Sequence, residues 1–500
     1  MTLLLEEIDR RRIETNKLLN KKRRSELGQF MTPISVAQFM ASLFRNGNVE
    51  DQHKCILDAG AGIGSLSCAF LDQLTKDNSV RSANVVAFEV DDILREQLEI
   101  SIGSFSEKLN LTQQIMSDDF IEWAVQTLLD NNTLFDENKQ IHFTHAILNP
   151  PYKQFPSSSR YRKLLRDVGI ETGNLYSAFI ALTLALMKEG GQIVAIIPRS
   201  FCNGPYFRRF RYFLLERAAI HHLHLFNSRD KAFKDDEVLQ ENVIIMLERG
   251  GKQGDVVVSS STDGTFNDYV TKIRSFERIV SPTDTEKFIH IPTSSVENPI
   301  VESNNIIHTL QDLEVEVSTG PVVDFRSRDS LCSMPEPNTV PLFYPNHFVG
   351  QYTEWPKEMK NSNAIKRNEK TEKSFYPNGF YTVVKRFSSK EEKKRIVAGV
   401  LNPDQFDTPV IAFENSLNVF HSKKEGIPKE LAYGLFAYLN STLVDQYFRI
   451  FNGHTQVNAT DLRAMKYPSR DVLIKLGSWI LTFSDKIQQH HLDEKMGDIL

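Results

Sequence analysis

Leu57-Asp58-Ala59-Gly60-Ala61-Gly62-Ile63-Gly64 is the stretch on which the fold turns. The residues leading into it, Lys54-Cys-Ile-Leu-Asp58, form a short apolar strand, and a helix follows. Glycines at alternate positions let a chain leave a strand, turn sharply and enter a helix while its backbone approaches a ligand closely. Three readings fit: a dinucleotide loop, an S-adenosylmethionine loop, or a tight turn with no ligand. The Gly-Lys-Ser/Thr signature of a phosphate-binding loop is missing, which argues against a kinase or ATPase. The next strand, Asn84-Val-Val-Ala-Phe-Glu89, ends in an acid 29 residues after Gly60. An acidic side chain there can accept hydrogen bonds from both ribose hydroxyls, the alternative being a surface glutamate at a strand end.

Outward from the loop, strands alternate with helices from about residue 50 to 250. Apolar runs at 54–58, 84–89, 145–149, 191–198, 220–226 and 242–247 predict strands, and Asp91–Phe105 and Leu175–Lys188 predict helices between them. This alternation predicts a parallel α/β sheet covered on both faces. Ahead of it, residues 1–30 predict a basic helix carrying Arg10-Arg11-Arg12 and Lys21-Lys22-Arg23-Arg24, either a solvated face or a phosphate contact. After Gly250-Gly251-Lys-Gln-Gly254 the pattern changes to short β-like runs, with helices returning near Lys429–Phe448 and Arg470–Asp493. The expected organisation is a basic helix at 1–30, a catalytic domain at 31–255 and an α+β domain at 256–500. Lys, Arg and aromatic side chains gather between Lys366 and Arg395 in the last of these.

A second motif, Asn149-Pro150-Pro151-Tyr152, stands at the carboxyl end of the strand at 145–149, where open α/β sheets bind ligands. The Asn149 amide oxygen and the Pro150 carbonyl are two acceptors that could grip the two hydrogens of an amino group. The paired prolines fix that geometry, and Tyr152 offers a flat face to a base.

Glycine loop, acidic strand end, Asp119-Phe120 and Asn-Pro-Pro-Tyr, in this order, resemble an S-adenosylmethionine-dependent amino-methyltransferase. Gly28-Gln-Phe-Met-Thr32-Pro33 ahead of the loop makes the order similar to that of the gamma class of DNA adenine-N6 methyltransferases, in which target recognition comes last. Ala232-Phe233 and Val238–Val243 resemble the family's late motif, and three C-terminal stretches at 317–326, 384–389 and 453–463 resemble recognition motifs of restriction–modification methylases of the PstI and BsuBI type. The resemblance implies an S-adenosylmethionine methyltransferase sheet with a C-terminal α+β target-recognition domain. It implies cofactor binding by Thr32, Asp58, Gly60, Gly62, Gly64, Glu89, Asp119 and Phe120, and chemistry by Asn149, Pro150 and Tyr152. It further implies stacking of an extruded adenine on Tyr152 and Phe233, and DNA contacts from Lys385, Arg386, His454, Thr455, Gln456 and Arg463. For His454 a loop-stabilising hydrogen bond is the equal alternative. The expected cofactor is S-adenosylmethionine. The expected partners are double-stranded DNA and a separately encoded restriction endonuclease acting on the same site, with the enzyme a monomer.

Composition narrows the classes. The chain has 500 residues, 59 Lys and Arg against 64 Asp and Glu, and a net charge of −5. A polyanion must therefore be held by a local basic surface rather than by overall charge. The four cysteines, Cys55, Cys68, Cys202 and Cys332, show no CxxC pairing, and Cys68 and Cys202 are expected to be packing residues. His221-His222-Leu-His224 has no supporting ligand at metal-site spacing, so surface or packing histidines and no metal are expected. No run is long enough for a membrane span, and a soluble, cytoplasmic bacterial protein is expected. Other classes still open are an RNA or protein-amide N-methyltransferase, a fused endonuclease-methylase and a non-catalytic DNA-binding module.

Overall fold

Neighbouring residues along the buried strands feed two separate cores. Ile56, Val85, Ala87, Ile147, Val194 and Ile196 pack on one side of a sheet. Leu57, Val86, Phe88, Ala146, Leu148, Ile193 and Ala195 pack on the other. A strand covered on both faces needs no polar alternation, which is why Ile193–Ile197 reads as an unbroken apolar run. The computed structural model describes residues 2–18, 31–45, 52–131, 143–156, 158–226, 241–282, 284–292, 300, 303–388, 392–451 and 456–499. They fall into two compact units, Met1–Thr293 and Ser294–Leu500.

The first unit carries a nine-stranded sheet. Its strands are β1 (His53–Ala59), β2 (Ser82–Phe88), β3 (Asn110–Met116), β4 (Phe143–Leu148), β5 (Met187–Pro198), β6 (Ala218–Phe226), β7 (Asn242–Arg249), β8 (Val256–Ser261) and β9 (Val270–Arg274). Their spatial order is β3-β2-β1-β4-β5-β7-β6-β8-β9. The five strands from β3 to β5 pair in parallel. The expected parallel α/β sheet is present, and β7 adds an antiparallel strand between β5 and β6. Consecutive antiparallel strands need no crossover helix between them. Helices Ile34–Ser42, Ser65–Leu74 and Asp92–Gly103 cover the first face, and Phe120–Asn131, Leu175–Leu186 and Arg208–Arg217 the second. Strand order reverses direction between β1 and β4, the switch point at which such sheets bind ligands.

Two expectations shift. The N-terminal helix, Leu3–Leu18, buries Leu5 and Ile8 in the first core, and Arg12 is buried against Asp9 at 2.8 Å, so the helix is docked rather than merely solvated. Lys21–Arg24 lies outside the described residues. The boundary set at residue 255 falls inside the first unit, because β8 pairs with β6 and β9 with β8, extending the same sheet.

The second unit mixes small sheets with helices. An antiparallel four-stranded sheet is built from Glu316–Thr319, Leu417–His421, Tyr381–Lys385 and Ala398–Leu401. The expected helix Lys429–Phe448 is two helices, Lys429–Leu439 and Thr442–Phe451. The break holds Asn440, whose side chain bonds both the N–H and the carbonyl of Ala398 at 3.1 Å. The expected helix Arg470–Asp493 is likewise Arg470–Ile480 and Gln489–Gly497, interrupted where Gln351 and Tyr352 donate to the carbonyls of Asp485 and Ser484. A Cβ at Gly434 would overlap the Leu473 carbonyl and one at Gly477 the Glu430 carbonyl, so these helices cross backbone to backbone.

Candidate active site

The residues that follow β1, β2, β3 and β4 meet in one cavity of about 190 Å³, lined among others by Gly60, Gly62, Glu89, Asp119, Phe120 and Asn149. Each is placed by the end of a strand, so the parallel sheet itself brings them together. The glycine loop is clamped to β2. Gly60 and Ala61 donate their N–H groups to the Phe88 carbonyl at 3.0 and 2.9 Å, and Gly62 donates to Glu89 Oε2 at 2.9 Å. Gly60, Gly62 and Gly64 have φ of 80°, 58° and 86°, which a side chain would strain. A Cβ on Gly64 would also stand 2.7 Å from Leu98 Cδ1, so this glycine is needed for helix packing as well.

Glu89 is almost fully buried, and its second oxygen accepts from the Asp91 N–H at 2.9 Å. Burial raises its pKa, against the lowering effect of these backbone bonds. Asp119 caps the helix Phe120–Asn131 by accepting from the N–H groups of Ile121 and Glu122 at 2.9 and 3.1 Å. Its other oxygen accepts from the Tyr161 hydroxyl at 2.6 Å. Asp58 and Gly64 do not line the cavity but stand behind the loop. Asp58 is fully buried, accepts from the Ser67 hydroxyl at 2.5 Å and leaves Oδ1 without a partner; burial pushes its pKa up to about 7.

Asn149 is anchored at both ends of its amide. Nδ2 donates to Thr32 Oγ1 at 3.0 Å, and Oδ1 accepts from the Tyr152 hydroxyl at 2.9 Å. The Tyr152 hydroxyl also lies 3.1 Å from the Ile196 carbonyl, and its burial raises its pKa. Pro150 is buried, and its neighbour Pro151 comes within reach of the glycine loop: a Cβ on Gly60 would meet Pro151 Cδ and Phe179 Cε1, each at 3.9 Å. Met31, Leu94, Tyr161, Leu175 and Phe179 are among the wall residues that escaped the sequence reading. Tyr161 follows the motif by nine residues, and Phe179 lies in an apolar helix that reads as core.

The donor set fits the expected cofactor. A carboxylate at the end of β2 suits a ribose diol. The rings of Phe88, Phe120 and Phe179 line the same space and suit a purine. The bare Cα of Gly60 keeps open a cradle that a Cβ would enter.

The remaining expected residues lie elsewhere. Phe233, His454 and Thr455 are outside the described residues. In the second unit Lys385 pairs with Glu392 at 2.9 Å. Arg386 donates to the Asn415 carbonyl at 3.1 Å and to Gln456 Oε1 at 3.3 Å, tying two distant segments together. Arg463 donates twice to the Val317 carbonyl, at 3.3 and 3.0 Å. In the first unit, His222 and His224 share the Ser259 hydroxyl at 2.7 and 2.9 Å, and desolvation lowers their pKa values to about 4 and about 3.

Strand order, glycine loop and strand-end residues place the chain in the Rossmann-like α/β class, with its cavity at the switch point of the sheet. The family model of the Eco57I restriction-modification methylase matches residues 38–233. Over 500 residues the chain is 57% identical to the type II methyltransferase M.BsuBI of Bacillus subtilis, covering 100% of this chain and 99% of that protein. It is 42% identical over 475 residues to the type II methyltransferase M.PstI of Providencia stuartii, covering 93% and 92%. The DrdV–DNA complex determined by cryo-electron microscopy shares the fold, with a TM-score of 0.52 at 11% identity over 93% of this chain and 58% of that one. The chain belongs to the restriction–modification methylases, among their type II methyltransferases. No helix among the described residues is long and apolar enough to cross a membrane.

Proposed function

We propose that this methyltransferase moves a methyl group to N6 of adenine within a specific sequence of duplex DNA, protecting that site from a separately encoded restriction endonuclease. The observation that carries this reading is the Asn149 amide, held by Thr32 and Tyr152 at the edge of the cavity beneath the glycine loop. S-adenosylmethionine, when bound, supplies the methyl group on a positively charged sulfur. Glu89 would hold its ribose, and Phe120 and Phe179 would flank its adenine. The Asn149 oxygen and the Pro150 carbonyl accept the two hydrogens of the target amino group, which leaves the nitrogen lone pair pointing away from them. A base inside a duplex cannot reach these groups, so it must leave the stack; Tyr152 then provides a ring face. Holding the acceptors in place before the substrate arrives is where the protein accelerates the reaction. Recognition of the site falls to the second unit.

Nucleoside mass spectrometry of DNA from cells expressing the enzyme tests this. N6-methyldeoxyadenosine is expected with the wild-type chain and should be absent with Asn149→Ala. Methylation appearing on cytosine, or persisting in the Asn149→Ala variant, would overturn it.

A further inference from the structure

Lys385, Arg386 and Arg463 of the second unit are engaged within the protein, and the first unit carries a further basic face. The segment leaving the Asn-Pro-Pro-Tyr motif pairs with residues 173–175. Leu175 donates its N–H to the Lys153 carbonyl at 2.8 Å, and Phe155 donates to the Gly173 carbonyl at 3.1 Å. Between these two stretches lies the helix Arg160–Asp167, Arg-Tyr-Arg-Lys-Leu-Leu-Arg-Asp. One side of it is used inward: Leu165 is buried in the core, and Tyr161 lines the cofactor cavity with its hydroxyl on Asp119. The other side is exposed and carries Arg160, Lys163 and Arg166, with Arg160 paired to Glu122 at 3.0 Å.

A second element joins this basic face. Glu171 lies 3.8 Å from Arg166 and is also paired with Arg209; with Glu122 and Asp167, three acids stand against Arg160, Arg162, Lys163, Arg166 and Arg209, which leaves a positive surplus. Arg209 remains 72% exposed. Three residues before it, Tyr206 is 91% exposed. This segment is seated on the catalytic motif through rings: Phe207 stacks on Tyr176 at 5.6 Å, and Tyr176 meets Tyr152 edge-on at 6.4 Å.

We infer that Arg160, Lys163, Arg166 and Arg209, with Tyr206 at their margin, form a phosphate-contacting surface of the catalytic unit that grips the DNA backbone beside the base being methylated. The placement follows from chemistry. Extruding a base swings its flanking phosphates outward, and cations fixed to the same scaffold as Asn149 hold those phosphates in register with the acceptors. Such contacts carry no sequence information; they position. The inference rests on the DNA reading above.

The test uses the full chain and a triple variant, Arg160→Ala/Lys163→Ala/Arg166→Ala, whose changes are to a good helix former at exposed positions. Wild-type methylation of DNA adenine checks the underlying reading by itself. Given that, fluorescence anisotropy with duplex DNA over a range of salt should show the triple variant binding at least about tenfold more weakly at low salt. Its salt slope should be shallower by about 3, near 1 per lost phosphate contact. Titration of S-adenosylmethionine should be unchanged, since none of the three lines the cavity. Tyr206→Ala should reduce DNA affinity without changing the slope. Unchanged DNA affinity and slope in a triple variant that still binds cofactor would overturn the inference while leaving the adenine reading intact. So would a loss of affinity shown with duplex RNA and not with DNA.

Discussion

Replacing Thr32 by valine separates two roles that one residue could hold. Sequence resemblance places Thr32 among the cofactor contacts, whereas in the structure its hydroxyl accepts from Asn149 Nδ2 at 3.0 Å. Valine keeps the branched shape and replaces the hydroxyl by a methyl. Thr32 is buried, so water has poor access to the donor left behind. An unsatisfied donor of this kind costs about 1–3 kcal/mol. The Tyr152 hydroxyl still holds the other end of the amide, so the loss is one of orientation rather than of the residue's position. If that cost falls on the transition state, kcat drops roughly 5- to 150-fold, at about 1.4 kcal/mol per decade. Single-turnover methylation, with cofactor affinity measured separately by calorimetry, distinguishes the outcomes. The expected result is a lower methylation rate with a cofactor Kd within about threefold of wild type. A Kd that rises while the rate at saturating cofactor holds would refute the positioning role and return Thr32 to the cofactor.

Two further predictions concern stability. Gly64→Ala meets both a left-handed backbone and the Leu98 side chain, with φ at 86° and 2.7 Å to Leu98 Cδ1; a loss of about 2–4 kcal/mol is expected from αL strain and overpacking together, read as a lower denaturation midpoint in urea, and an unchanged midpoint would show that the helix Asp92–Gly103 yields freely. Asp58, with its pKa raised from 3.8 to about 7, binds a proton more tightly when folded than when unfolded. Its contribution to stability is therefore fully present below about pH 4 and is lost as the pH rises to 7. Asp58→Asn should remove that decline in cofactor-free protein, and parallel melting curves for variant and wild type from pH 5 to 8 would exclude the effect.

Local features were the legible ones. The glycine loop, Glu89 and Asn149 each sit directly after an apolar run, so a reader of the sequence meets strand and site residue together. Pairing between distant segments was not legible. The direction of β7, and the addition of β8 and β9 to the first sheet, depend on partners that no local period encodes. The break at Asn440 was hidden for the same reason, since the groups its amide satisfies belong to Ala398. Charge runs leave a different gap. Sequence shows that Arg386 and Arg463 are cationic, but not that their guanidinium groups reach the carbonyls of Asn415 and Val317. Tyr161 and Phe179 belong to the cavity only because their helices bring them against Asp119 and Gly60, which are distant in sequence.

The way the glycine loop is held bears on how this enzyme withstands mutation. Gly60 and Ala61 lean on the Phe88 carbonyl and Gly64 on the Ala61 carbonyl, all main-chain acceptors that no substitution removes. The Gly62 N–H instead depends on a side chain, Glu89. Drift can thus alter residue 88 without unmaking these bonds, whereas position 89 supports the loop and, in the proposed reading, also takes the ribose. Two demands converging on one carboxylate leave it little freedom to vary, and loss of either would be felt through the other.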